Sequence, residues 1–266
     1  MFKPYVAKDR VLNDMVFDFY IANETGKLWY DSSPNQFMPE RRWCLEHLAP
    51  GMTAIDCGAH HGMMSVIFAK AVGPKGRVIA YEPSPANAKI ISENAKLNGI
   101  DNIVVRPVGV GSSNTVAPFH SNLSNMIVSR GALAETPRKG FLSALGIGRK
   151  RRVKAADGEI EIVALDSDLP RGTRVDFLKI DVEGFEAEAL DGMAKVISQR
   201  PLIDLEIHNF LSSSPLQDLA KLAAALHGYS FLALGESFGD VKDMGTMFDI
   251  EYLVQFQNPH VFCKPL

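Results

Sequence analysis

A glycine loop and one acidic residue form the first pattern in this sequence that points to chemistry. Residues 53–62 read TAIDCGAHHG, in which Asp56 ends an apolar segment and Gly58 and Gly62 follow it. Glycines there allow a tight turn and let a ligand approach the backbone, and the helix that follows presents free N–H groups. Glu82 follows the next apolar segment, where a carboxylate can accept hydrogen bonds from both hydroxyls of a ribose. The pattern therefore predicts a site for a nucleoside-type ligand.

The spacing of the glycine loop discriminates between two such ligands. It is D-x-G-x-x-x-G, because His60 stands where the G-x-G-x-x-G of dinucleotide-binding folds has its middle glycine. A pyrophosphate is repelled by the carboxylate of Asp56, whereas a ligand with an ammonium group is attracted. We therefore favour S-adenosylmethionine, and an NAD-dependent oxidoreductase stays open as an alternative. A structural role also stays open for Glu82, since it precedes Pro83 and can cap the next helix.

Carboxylates and an imidazole follow two later apolar segments. Asp181 and Glu183 come after the first of them, and Glu206 and His208 end the second. Because parallel strands end at one edge of a sheet, these side chains are expected to lie close together. We predict His208 as a base, with Asp181 orienting it or acting itself, while structural roles for both stay open. The four residues also suit a divalent ion, but such groups are common at sheet ends and we assign no metal.

The elements that must position these residues alternate between strand and helix. This alternation predicts an α/β fold with a mostly parallel sheet, helices on both faces and right-handed crossovers. The predicted strands are 53–57, 77–81, 103–110, 175–180, 202–207, 231–234 and 252–257, and the predicted helices are 39–48, 62–72, 85–98, 185–198 and 215–227.

Two parts of the chain stand outside this alternation. We expect residues 1–50 to form an N-terminal extension, with a hairpin that turns at Thr25-Gly26 and then a helix. We expect residues 51–266 to form the ligand-binding domain. Residues 111–165 give few helix or strand signals and are predicted to be an insertion within it.

The insertion contains a strongly basic loop, residues 138–154. Seven basic and no acidic residues stand between Glu135 and Asp157, so this segment has a charge of +7. Because the net charge of the whole chain is −3, the rest of the chain has a charge of −10. The loop is either a solvated segment or a weak contact for an anionic substrate or surface.

Composition excludes several classes of protein. The 266 residues are 46% hydrophobic and 22% charged, as in an ordinary globular protein. The net charge of −3 and the absence of a (D/N)PP(Y/F) tetrad argue against a nucleic-acid partner. The three cysteines are widely spaced and indicate neither a disulfide framework nor a zinc site. Neither a signal peptide nor a transmembrane segment is visible, so we expect a cytoplasmic protein.

Four segments resemble the FkbM-type methyltransferases, which are S-adenosylmethionine-dependent. They are AIDCGAHHGMMSVIFAK, VIAYEPSPANAKIISENAKLNG, DFLKIDVEGFEAEALDGM and RPLIDLEIH, within residues 50–210. The resemblance implies a Rossmann-like class I methyltransferase fold with a seven-stranded sheet. His60-His61 stands in place of the Asn-x that the family usually has, so a cofactor contact is expected to differ there. One of these two histidines is expected at the site and the other on the surface.

The resemblance also implies roles for individual residues. Asp56, Gly58 and Gly62 are expected at the methionine end of the cofactor, and Glu82 at its ribose. With the residues argued from the strand ends, the complete set of expected cofactor-binding residues is Asp56, Gly58, His60, Gly62, Glu82, Ser84, Asn87, Val108, Gly109 and Asp181, and the expected catalytic residues are Asp181, Glu183 and His208.

The expected reaction is methylation of a hydroxyl on a sugar, a glycan or a small natural product. It requires that the protein align the acceptor oxygen and accept its proton. A module that binds S-adenosylmethionine without catalysis stays open as a second alternative.

Overall fold

The computed structural model describes residues 2–12, 15–32, 38–119, 158–235 and 241–266. The strands are β1 (Tyr5–Leu12), β2 (Met15–Ile21), β3 (Thr53–Cys57), β4 (Arg77–Tyr81), β5 (Ile103–Arg106), β6 (Gly109–Val110), β7 (Thr115–Phe119), β8 (Gly158–Val163), β9 (Phe177–Ile180), β10 (Leu202–Glu206), β11 (Tyr229–Leu234), β12 (Val241–Gly245) and β13 (His260–Pro265). The helices are α1 (Glu24–Lys27), α2 (Met38–His47), α3 (Met63–Val72), α4 (Pro85–Leu97), α5 (Leu165–Asp168), α6 (Glu186–Asp191), α7 (Ala194–Ser198), α8 (Pro215–Ala225) and α9 (Ile250–Leu253), with a π-helical turn at Leu28–Ser32 and a 3₁₀ turn at Asn209–Leu211.

A mostly parallel sheet of eight strands forms the centre of the molecule. Its spatial order is β12-β11-β13-β10-β9-β3-β4-β5. Strands β10, β9, β3, β4 and β5 pair in parallel, and β13 lies antiparallel between β10 and β11. The seven strands from β11 to β5 confirm the predicted class I fold, and β12 adds an eighth strand at the edge.

The strands at the centre of the sheet are short and apolar because helices cover both of their faces. In β3, Ala54 pairs with Phe177 on one side and with Val78 on the other, and all three side chains are buried. Such continuous apolar segments are typical of parallel strands, whose two faces are both buried. The predicted bounds of β3 and β4 are confirmed to the residue.

The third predicted strand, 103–110, is two strands in the structure. Strand β5 ends just before Pro107, which has no N–H to donate to a sheet. Gly109-Val110 then leaves the main sheet and pairs with β8, which also pairs with β7. The sequence interpretation therefore missed two strands in residues 111–165, and the basic loop 138–154 lies outside the described residues.

Two further expectations about single elements are wrong. Residues 252–257 are not a strand, because the side chain of Asp249 accepts a hydrogen bond from Tyr252 N and caps α9; the last strand is β13. The helix predicted over 185–198 breaks into α6 and α7, because the carboxylate of Asp166 accepts from Lys195 N and caps the second piece.

The N-terminal hairpin is present, but its turn lies elsewhere than predicted. Strand β1 pairs antiparallel with β2, while Thr25-Gly26 lies in α1, which the side chain of Asn23 caps. The backbone of β2 donates to the side chains of Asn94 and Asn98 on α4, and its buried side chains share a core with α3. In the described part of the chain, every helix falls short of the length and apolarity that a membrane span needs.

Candidate functional site

The glycine loop connects β3 to α3 and is shaped by backbone conformations that favour glycine. Gly58 has φ +86°, and a methyl group on its Cα would overlap the backbone carbonyl oxygen of Asp181. Gly62 has φ +84°, and a methyl group there would lie 3.0 Å from Ile91 Cγ2. His60 also has a positive φ, of +51°. The loop is therefore held close against the end of β9 and against α4, as a loop that positions a ligand must be.

Asp56 lies at the floor of this loop and has one oxygen without a partner. Its Oδ2 accepts a hydrogen bond of 2.5 Å from Ser65 Oγ, whereas its buried Oδ1 has no partner among the described residues. Burial raises the pKa of Asp56 to about 6, against the opposing effects of Lys179 and Ser65. A buried carboxylate oxygen without a hydrogen-bond partner suits a ligand with an ammonium group, which can donate a hydrogen bond to it.

Glu82 is held at the end of β4 by three hydrogen bonds. Its Oε2 accepts from His60 N at 2.8 Å, and its Oε1 accepts from Ser84 N at 2.8 Å and from Asn87 Nδ2 at 3.3 Å. Ser84 is also the N-cap of α4. The structure thus places Ser84 and Asn87 as supports of Glu82, while their predicted contacts to adenosine stay predictions.

The pKa of Glu82 predicts how stability depends on pH. Burial raises this pKa from 4.5 to about 7, although the hydrogen bonds from Ser84 and His60 oppose the rise. Folding therefore favours the protonated carboxyl, so its contribution to stability is present below pH 4.5 and is lost as pH rises through 7. We expect the free energy of unfolding, measured in urea relative to Glu82→Gln, to fall by up to about 3 kcal/mol across this window. A difference that stays constant with pH would contradict this assignment.

An aromatic cluster covers the glycine loop from the N-terminal extension. The Tyr30 hydroxyl lies 2.7 Å from His60 Nδ1, and the rings of His60 and His61 stack with centroids 4.0 Å apart. The expectation that one of these histidines lies on the surface is wrong, because His61 is fully buried against Gly26 and His60 is half-buried. Burial lowers the pKa of His61 to about 4, so this imidazole is neutral at physiological pH. Sequence interpretation missed Tyr30, since nothing local in the extension marks it.

The second group of predicted residues comes together around His208. His208 Nε2 lies 3.8 Å from Asp181 Oδ1, 3.6 Å from Glu183 Oε2 and 3.8 Å from Glu206 Oε1. His208 Nδ1 lies 2.8 Å from Glu186 Oε1, which also accepts from Gly184 N. We call these five residues the carboxylate–imidazole cluster. Sequence analysis assigned no role to Glu186, which the structure places where it orients the imidazole.

Electrostatics couple the members of this cluster. Burial disfavours a charged imidazole, but the hydrogen bond and charge of Glu186, together with the charge of Glu206, outweigh it and raise the pKa of His208 to about 10. Burial and the charge of Asp181 raise the pKa of Glu183 to about 8, although His208 opposes this. Glu183 also has φ +53°, a conformation that is uncommon outside glycine and clusters at functional sites.

A buried cation supports the cluster from within the sheet. Lys179 Nζ on β9 lies 3.0 Å from Glu40 Oε1, 3.3 Å from Asp181 Oδ2 and 4.0 Å from Asp204 Oδ2. Its side chain is only 4% exposed, and the surrounding carboxylates raise its pKa despite burial. Sequence interpretation missed this network, although a lysine inside the apolar segment FLKI was a visible signal.

Asp181 links the glycine loop to the cluster. Its backbone carbonyl lies against Gly58, and its side chain faces His208. Val108 and Gly109 lie at the junction of β5 and β6, where Val108 packs into the main apolar core. Contacts of these two residues with an adenine stay predictions.

Comparisons with known proteins agree with this geometry. The family model described as "Methyltransferase FkbM domain" matches residues 56–235. The methyltransferase sdnD of Sordaria araneosa is 28% identical over 158 residues, which are 52% of this chain and 59% of that protein. A protein-L-isoaspartate O-methyltransferase of Aeropyrum pernix is 30% identical over 125 residues, 46% of each chain. This chain thus spans about half the length of the curated relatives it matches.

Comparison with solved structures gives distant matches. A SAM-dependent methyltransferase from Aquifex aeolicus is 14% identical, with a TM-score of 0.47 over 90% of this chain and 95% of that chain. The family match covers more than half of the sequence and includes the glycine loop, Glu82 and the carboxylate–imidazole cluster. The chain therefore belongs to the FkbM methyltransferase family, whose cofactor is S-adenosylmethionine.

Proposed function

We propose that this protein transfers a methyl group from S-adenosylmethionine to a hydroxyl of a sugar, a glycan or a small natural product. The observation that supports this most directly is the position of Asp181. This residue belongs to the edge of the glycine loop and to the carboxylate–imidazole cluster at the same time. A cofactor bound at the loop would thus lie beside groups that can bind a hydroxyl and accept its proton.

The residues of the loop fit the cofactor chemically. The unpartnered Oδ1 of Asp56 suits the ammonium group of its methionine part, and the carboxylate of Glu82 suits the hydroxyls of its ribose. When bound, S-adenosylmethionine supplies a methyl group on a sulfonium, and the C–S bond breaks as a C–O bond forms to the acceptor. Because Gly58 has no side chain, the loop can pack directly against the backbone of Asp181.

In the carboxylate–imidazole cluster, two carboxylates are more accessible to an acceptor than the imidazole is. The side chains of Asp181 and Glu183 are 26% and 25% exposed, whereas that of His208 is 3% exposed. We propose that one of these two carboxylates accepts the proton of the acceptor hydroxyl, and that His208 lies behind them as a positioning residue. Carboxylate oxygens accept hydrogen bonds from hydroxyls, and they repel the phosphates of a nucleic acid.

The test of this proposal is a calorimetric titration with S-adenosylmethionine, S-adenosylhomocysteine and NAD. We expect saturable binding of the first two and none of NAD. Glu82→Ala should weaken binding by about 10- to 100-fold, because it removes charge-assisted hydrogen bonds to the ligand. Glu93→Ala, which removes an exposed glutamate of α4, is the matched control and should bind as wild type does. Binding of NAD, or of none of the three, would contradict the proposal.

The acceptor class needs a second experiment. Transfer of a labelled methyl group should be measured on neutral sugars, glycans, polyhydroxylated natural products and RNA. We expect product only with the hydroxylated small molecules or glycans. Transfer to RNA alone would overturn the proposed acceptor class. Cofactor binding without transfer to any of them would favour the alternative of a non-catalytic binding module.

A further inference from the structure

Three donor atoms converge in the carboxylate–imidazole cluster. Asp181, Glu206 and His208 each offer one donor atom, and these three atoms lie within 4.8 Å of one another. They come from the ends of two neighbouring parallel strands, β9 and β10, so the sheet itself fixes their spacing. Two carboxylates and one imidazole form a donor set that suits a divalent ion of the magnesium or manganese type.

Each of the three residues uses its other polar atom to hold its orientation. Asp181 Oδ2 accepts from Lys179 Nζ at 3.3 Å, and Glu206 Oε2 lies 3.5 Å from His260 Nε2. His208 Nδ1 lies 2.8 Å from Glu186 Oε1. Metal ligands in proteins are oriented in this way by partners behind them, which fix the tautomer of a histidine and the rotation of a carboxylate.

His208 Nε2 has no hydrogen bond of its own within the described part of the chain. The side chain is 3% exposed, and the carboxylate oxygens nearest to Nε2 lie 3.6 to 3.8 Å away. These distances are too long for hydrogen bonds. They fit donor atoms arranged around one ion, because bonds of about 2.0–2.3 Å place such atoms roughly 3–4 Å apart. An imidazole nitrogen without a hydrogen bond, on a side chain that is 3% exposed and facing three carboxylates, is thus a second sign of a ligand between these groups.

A neighbouring group of similar composition differs in one decisive respect. Glu40, Asp204 and His260 also offer three donor atoms within 4.8 Å of one another. Lys179 Nζ already lies 3.0 Å from Glu40 and 4.0 Å from Asp204, so an ammonium group occupies the position of a cation there. The cluster around His208 holds four carboxylates, those of Asp181, Glu183, Glu186 and Glu206, and is the more strongly anionic of the two.

We infer that Asp181, Glu206 and His208 form a binding site for one divalent cation, with Glu186, Lys179 and His260 as supports that orient the ligands. This inference deepens the proposed function and rests on it for its role in catalysis. A cation at this position would bind the acceptor oxygen and favour its ionisation. Glu183, which lies beside the three ligands without belonging to them, would then receive the proton.

The test is a titration of the chelator-treated protein with Mn²⁺ alone, with free Mn²⁺ followed by electron paramagnetic resonance. It is made at about pH 8, where Mn²⁺ competes with the proton on His208, because a metal ligand must be deprotonated when the metal binds. We expect one bound Mn²⁺ per chain, displaced by Mg²⁺. His208→Gln and Glu206→Gln should each weaken binding at least about 10-fold. His227→Gln, which removes an exposed histidine, is the matched control and should leave binding unchanged.

The outcomes separate this site from the proposed function. Circular dichroism and the S-adenosylmethionine titration show whether each variant is folded. Because His208→Gln and Glu206→Gln each remove one proposed metal ligand, the test can still be made if one of them does not fold. Absence of saturable Mn²⁺ binding, or binding that both folded variants retain, would overturn the cation site alone. Mn²⁺ binding that depends on these residues in a protein that binds no S-adenosylmethionine would support the cation site and overturn the proposed function.

Discussion

Gly58→Ala is expected to leave little folded protein, whereas Gly51→Ala is expected to fold. The two glycines have almost the same φ, +86° and +88°, so both variants carry the cost of a left-handed conformation, about 1–2 kcal/mol. They differ in their surroundings. A methyl group at Gly58 overlaps the backbone carbonyl of Asp181, while a methyl group at Gly51 meets nothing within 4 Å. We therefore expect Gly58→Ala to lose more than about 4 kcal/mol of stability.

Urea unfolding of the two glycine variants measures this difference directly. The comparison is informative because the backbone penalty cancels and only the contact with β9 remains. If Gly58→Ala is soluble and only locally distorted, the loop must have moved away from Asp181, and binding of S-adenosylmethionine should be lost with it. A Gly58→Ala variant within about 1 kcal/mol of Gly51→Ala would contradict the close packing of the loop against the end of β9.

The elements that sequence analysis predicted correctly are those whose signal is local. Strands β3 and β4 are short apolar segments between turn residues, and α4 begins with a capping serine and a proline. The carboxylate–imidazole cluster was also accessible, because parallel strands end at one edge and Asp181 and His208 directly follow two of them. In each case the evidence lies within a few residues of the element it predicts.

The features that sequence analysis missed depend on distant partners. Tyr30 reaches His60 from a separate part of the chain, and Glu40 on α2 reaches Lys179 on β9. Among the described residues, strand β7 pairs with β8 alone, which lies far along the sequence beyond the basic loop. Tertiary pairing of this kind overrides local propensity. The prediction of the hairpin turn was wrong for the opposite reason. Thr25-Gly26 is a local turn signal, but the side chain of Asn23 caps a short helix at these residues.

Lys179→Met is expected to lose about 3–5 kcal/mol of stability, because it removes the cation from a buried network and leaves carboxylates uncompensated. Glu40, Asp204 and Asp181 all lie within 4.0 Å of the lysine nitrogen. Burial opposes ionisation of Glu40, but the charges of Lys179 and His260 outweigh it and lower its pKa to about 2. Without the lysine, burial should dominate and this carboxyl should protonate at a much higher pH.

Urea unfolding of two further variants shows whether Lys179→Met loses stability through its charge or through its packing. Lys242→Met breaks a more exposed ion pair with Asp249 and should change stability by less than about 1 kcal/mol. Lys179→Met combined with Glu40→Gln should recover part of the loss, because it removes one of the uncompensated charges. The single variant should also lose less stability at about pH 5 than at about pH 8, since protonation then neutralises the buried carboxyls. A loss that neither the second substitution nor acid relieves would assign Lys179 a role in packing and not in charge balance.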